Sequence, residues 1–155
     1  MAFDPGGAQE SGDRYRPIVD ASQGFDPFGF GCPAINNPGP IAFNVVREDT
    51  AGEQIVRARN RRLRTIVDRD AAGLAGLFRS PLINDRGEVA FGARRDDDSE
   101  VILVGKGGPF RTVADTESGP FNRFFAAELN SHGQVAFDAV LDDGDSACSS
   151  ATAVR

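Results

Sequence analysis

Bulky and small side chains alternate in short bursts along this chain. Ile41, Phe43 and Val45 share one side of a segment whose other side carries Ala42 and Asn44. The same contrast returns with Val89, Phe91 and Ala93 against Ala90 and Gly92, and with Val135, Phe137 and Ala139 against Ala136 and Asp138. A period of two with unequal faces predicts β-strands buried to different depths on their two sides. A polar phrase precedes each burst. Asn36, Gly39 and Phe43 keep the spacing Asn-x-x-Gly-x-x-x-Phe, as do Asn84, Gly87 and Phe91, and then Asn130, Gly133 and Phe137. The copies lie 48 and then 46 residues apart, and a fixed period of that length means tandem copies of one supersecondary unit.

The middle copy displays the whole unit. An apolar segment ending at Ile83 is strand A, and Asn84 to Gly87 is a turn. Val89 to Ala93 is strand B, Val101 to Val104 strand C, and Phe110 to Ala114 strand D, joined by Asp- and Gly-rich tips. Four short strands with such turns predict an antiparallel meander. Asn tolerates left-handed backbone and bonds to neighbouring amides, and Gly supplies positive φ without a Cβ clash, so these recurring residues predict turn structure rather than chemistry. Two further landmarks keep the register. Asp20, Asp68 and Asp115 end the D-type segments, and Phe30, Phe78 and Phe125 each follow ten residues later.

The predicted fold is all-β, with about three four-stranded antiparallel blade-like repeats of a β-propeller; a β-trefoil is the alternative. Residues 1–13 are a tail, and 14–155 form one repeat domain with copies at about 14–62, 63–109 and 110–155. The bulky row of each strand B is expected to pack on the small face of the next copy. The order runs D, A-B-C-D, A-B-C-D, A-B-C, with a leading D strand at Tyr15 to Val19 and a C strand ending near Val154. Three outcomes fit that phase: a homodimer completing a six-bladed ring, a piece of a longer propeller, or closure as a trefoil.

Composition narrows the function. The 155 residues are 40% hydrophobic and 26% charged, as in soluble globular proteins, and 18 Gly with 9 Pro suit a turn-rich fold. A net charge of −6 makes nucleic acid an unlikely partner of the chain as a whole. No run of about 18 apolar residues offers a membrane span. Cys32 and Cys148 show neither a CxxC spacing nor a metal-ligand pattern, and free thiols are expected.

The motif Asn-x-x-Gly-x-x-x-Phe, followed by a Gly-Gly turn and an Ile/Val-Ala-Asp strand, resembles bacterial tandem-repeat proteins named for the NxxGxxxF repeat. These are often described as choice-of-anchor proteins. The resemblance spans about residues 14 to 155 and implies a propeller-like fold and an extracellular or cell-surface location. It implies no reaction. The start, Met1 to Gly7, lacks the basic and apolar regions of a signal peptide, so that location rests on the resemblance alone.

Few residues suggest chemistry. His132, the single histidine, falls within the third turn and reads as a solvated turn residue. Asp142, Asp143 and Asp145 are weak calcium candidates, lacking the spacing of a known calcium loop. Gly105 to Gly108 contains a Lys but reads as a hairpin, without the other parts of a phosphate loop. Asp20, Asp68 and Asp115 would meet at one end of a ring if the copies were symmetric. Arg57, Arg59, Arg61, Arg62 and Arg64 crowd the first C–D hairpin, with alternation placing the first three on one side and no counterpart in the other copies. No aromatic residue interleaves them, as single-stranded nucleic acid would require. The expected function is a non-catalytic binding or scaffold module; the alternative is a carboxylate-using hydrolase or lyase.

Overall fold

Each Asn-x-x-Gly phrase folds into a turn closed by its own residues. In the computed structural model, which describes residues 17–26, 29 and 31–152, the Gly amide donates to the Asn carbonyl in all three copies, at 2.9–3.1 Å. Gly39, Gly87 and Gly133 adopt φ of +94°, +72° and +82°, the left-handed region that a Cβ disfavours. Space matters too: a Cβ on Gly87 would stand 2.7 Å from the Arg57 guanidinium, and one on Gly133 2.9 Å from the Glu88 carboxylate. Each of these groups belongs to the preceding copy.

Between the turns the alternating segments form strands. The first sheet contains β1 (Ala34–Ile35), β2 (Ile41–Val46), β3 (Glu53–Arg59) and β4 (Arg62–Asp68) in that order. The second contains β5 (Gly76–Ile83), β6 (Val89–Arg94), β7 (Glu100–Gly105) and β8 (Arg111–Asp115). The third contains β9 (Phe121–Leu129), β10 (Gln134–Leu141) and β11 (Ser146–Thr152). Every pairing is antiparallel, so the expected all-β meanders are present.

The sheets stack face to face. Ala42 and Ile55 of the first sheet share a cluster with Val89, Phe91 and Ala93 of the second. Ala90 and Ile102 of the second share one with Phe124, Val135, Phe137 and Ala139 of the third. The bulky rows of the second and third copies therefore meet the small face of the copy before them, reversing the expected direction. Alternation defines two faces of a strand but not which one the chain covers next. That choice belongs to the D-to-A crossovers, Arg69–Ala75 and Thr116–Pro120.

One other expectation changes. Pro17–Asp20 forms no strand, and Tyr15 and Arg16 lie outside the described residues, as do Phe30 and Val154. Ile18 and Val19 instead pack as loose chain against Phe43, Val45 and Val56. In the third copy Phe124 is fully buried and Phe125 is 46% exposed. A shift in pairing between Phe137 and Ala139 explains this: Ala127 faces Phe137, but Phe124 faces Ala139. One extra residue in β9 exchanges inside for outside.

Hydrogen bonds tie the sheets at both ends. At the turn end, Asn36 Nδ2 donates to the Asn84 carbonyl at 2.8 Å, and Asn84 Nδ2 to the Asn130 carbonyl at 3.1 Å. At the far end, the Glu53 carboxylate accepts from the Leu77 amide and the Glu100 carboxylate from the Phe124 amide, both at 2.9 Å. The repeat thus carries a polar cross-link beside each end of its apolar contact. Ser146 opens β11 where Glu53 and Glu100 open β3 and β7, and the outward face of the third sheet carries Asp138, Cys148 and Ser150.

Candidate functional site

In a meander the A–B and C–D turns share one end and the B–C and D–A connections the other. The Asn rungs put the turn ends of all three sheets together. Charge divides along the same axis. The far end gathers Glu48, Asp49, Asp96, Asp97, Asp98, Asp142, Asp143 and Asp145 at its tips. Arg47, Arg69 and Arg95 also lie there, but pair with Asp49, Asp70 and Glu117 at 2.8, 2.7 and 3.5 Å.

The turn end is basic. Arg57 lies directly opposite Arg64 and Arg59 opposite Arg62 in the β3–β4 ladder, giving two like-charged cross-strand pairs on neighbouring rungs of one face. Such pairs destabilise a sheet. Arg61 is not among them: Asn60 and Arg61 form the hairpin tip with φ of +50° and +62°, which replaces the predicted alignment of Arg57, Arg59 and Arg61. Two of the four reach the second sheet, Arg57 donating to the Gly87 carbonyl at 3.0 Å and Arg64 to the Gly107 carbonyl at 3.1 Å. Among the described residues none of the four has a carboxylate within salt-bridge distance. Burial, then the charges of Arg64 and Arg59, lower the pKa of Arg57.

An open cleft of about 780 Å³ continues from Arg64 across the second sheet, lined by Arg86, Glu88, Lys106, Arg111 and His132. A smaller one of about 520 Å³ lies over Arg57, Arg59 and Arg62 and shares Arg64. Glu88 is the one carboxylate among the residues lining the two. Its Oε2 accepts from Asn84 Nδ2 at 2.7 Å, and both Arg86 and Arg111 approach it at 3.3 Å. Burial pushes the Glu88 carboxyl up, but the Asn84 bond and the charges of Arg86, Lys106 and Arg111 outweigh it and hold the pKa below the ordinary value. Arg111 and Lys106 occupy the positions of Arg64 and Arg59 in the repeat, so the first hairpin does have counterparts. Sequence reasoning missed them because the stripe was sought within one strand. Pairing the strands about the Asn60–Arg61 tip and comparing equal positions in the second copy would have found them.

The other candidates fall elsewhere. His132 is an exposed turn residue whose amide donates to Asn130 Oδ1 at 2.9 Å, and its ring borders the basic cleft. Asp142, Asp143 and Asp145 form a hairpin tip in which the Asp145 amide donates to Asp143 Oδ1 at 3.1 Å. Among the described residues no three His, Cys, Asp or Glu gather as a metal site. The recurring aspartates do not converge. Asp68 and Asp115 accept the amides of Ala71 and Ser118 at 2.9 and 2.7 Å, each in its own far-end turn. Asp20 bonds Ser22, and the Arg61 charge at the opposite end of the sheet adds to the lowering of its pKa. Every described carboxyl group whose pKa departs from its ordinary value moves down. Cys32 and Cys148 are exposed free thiols, and hydrogen bonding to Asp138, then its charge, raises the pKa of Cys148. Among the described residues no helix is long and apolar enough to cross a membrane. Comparison with protein-family models, with curated proteins and with solved structures finds no match to this chain.

Proposed function

We propose that this protein is a non-catalytic binding module that engages an anionic partner at the turn end of a propeller-type stack. The observation carrying this reading is the set of opposed arginines, Arg57 with Arg64 and Arg59 with Arg62, which no carboxylate among the described residues pairs. Like charges held together cost stability in the free protein, and an anion placed over them recovers that cost. The face-to-face sheets support the propeller-type arrangement, because blade-like units cannot bury their apolar rows alone. A hydrolase or lyase working through carboxylates would be favoured by an acid with a raised pKa in a pocket. The acids whose pKa moves here move the other way.

Calorimetric titration with linear polyphosphate tests the reading. At about 0.01 M salt, where the Debye length is ~30 Å, saturable heat is expected, and affinity falls steeply as salt rises. Replacing Arg59→Glu together with Arg62→Glu weakens binding at least about tenfold, since both guanidinium groups are exposed and free of carboxylate partners. Absence of heat at low salt, or equal binding by this variant, overturns the reading.

A further inference from the structure

We propose that the anionic partner at the basic end is the acidic end of a second copy of this chain, joined head to tail. This rests on the reading of the basic end as the binding face. The densest cations sit on the first two sheets, as the Arg57–Arg64 and Arg59–Arg62 pairs and the Lys106–Arg111 group. The densest acids sit on the tips of the last two sheets, at Asp96–Asp98 and Asp142–Asp145. Each pair of charge clusters belongs to adjacent stacked sheets, so one spacing, of about 10 Å, governs both. Charges set by the same stack match one another in distance as well as in sign. A compact anion would satisfy only one of the two cation clusters. Nucleic acid is less well suited: the His132 imidazole is the one ring lining the two clefts, with no Phe, Tyr or Trp among their residues to stack successive bases, and only short hairpin turns face outward there, with no helix to enter a major groove.

Head-to-tail contact uses two different surfaces and leaves one of each free, so association propagates. Sedimentation of the full chain at about 0.01 M salt is expected to show concentration-dependent oligomers that dissociate at about 0.15 M, where the Debye length shrinks to ~8 Å. A mixing experiment decides. One variant carries Arg59→Glu and Arg62→Glu; the other carries Asp96→Asn, Asp98→Asn, Asp142→Asn and Asp145→Asn. All six side chains are exposed, and circular dichroism checks that both variants keep their β signal. Each variant alone is expected to be monomeric, and the mixture is expected to give a heterodimer that grows no further. A monomeric wild type at low salt, or a mixture that stays monomeric, overturns the inference. If linear polyphosphate still binds the wild type, the binding reading survives. If neither polyphosphate nor a second copy binds, both fail.

Discussion

The contact between the first and second sheets and the contact between the second and third use the same repeat differently. Both press a Phe-centred row into a small-residue face, and both carry an Asn rung and a Glu link. The first contact adds Arg57 and Arg64 reaching over the rim, and Asn37 donating to Asp85 at 2.8 and 3.0 Å. The second places Val104 at the repeat position of Arg57 and gathers three rings, Phe121, Phe124 and Phe137, with centroids 5.4–5.5 Å apart. One interface is clamped by polar reach and the other by aromatic packing. The repeat therefore fixes where sheets meet but leaves the chemistry of the rim free to vary, and the polar rim carries the facing arginine pairs.

The aromatic contact is the one to break first. Phe124→Ala removes a fully buried ring and is expected to cost about 3–5 kcal/mol in urea unfolding. A loss under about 1 kcal/mol would mean that the ring cluster does not hold the third sheet.

The Asn rungs separate the two contacts. Asn84 spends its whole side chain: Nδ2 serves Asn130 and Glu88, and Oδ1 accepts the amides of Arg86 and Glu88. Asn36 makes the corresponding outward bond, but Pro38 and Pro40 stand where those amide donors would be, and its buried Oδ1 has no partner. Asn84→Ala should therefore cost about 2–3 kcal/mol and Asn36→Ala about 1 kcal/mol or less. Equal losses would show that the side-chain oxygens contribute nothing.

Acid should act through Glu88. Its pKa in the folded chain is below the ordinary value of about 4.3, so its contribution is complete above that value and disappears as pH falls through the folded one. Glu88→Gln is expected to lower stability at neutral pH by about 1 kcal/mol and to flatten this part of the acid-unfolding curve. An unchanged curve contradicts the assignment.

The smallest effect has the opposite sign. Pro40→Gln, the residue of the third turn, restores one amide donor to Asn36 Oδ1. The gain exceeds the lost rigidity of proline in the unfolded chain, and stability is expected to rise by about 0.5–1 kcal/mol. A decrease would show that the proline fits this turn better than the donor does.

Much of this was legible in the residues. Strand limits in the middle copy, the turn role of Asn and Gly, and the division of strand B into bulky and small faces all follow from local periodicity. The facing of successive sheets did not, because the hand of a crossover is not written in the alternation. Nor did the burial of Phe124 in place of Phe125, since a bulge depends on the partner strand rather than on the spacing of landmarks. The basic end became visible only after opposite strands were paired, which turned a run of arginines along the sequence into facing pairs.

The Asn rungs all point the same way, each amide reaching forward to the carbonyl of the following turn. Inserting one complete period would let the new turn accept from the Asn before it and donate to the Asn after it, leaving no rung unfilled. Inserting part of a period would strand one amide and one carbonyl at the contact between sheets. Lengthening by whole units is therefore the inexpensive route by which such a chain grows or shrinks during descent, and the natural cutting points for engineered versions fall one full period apart.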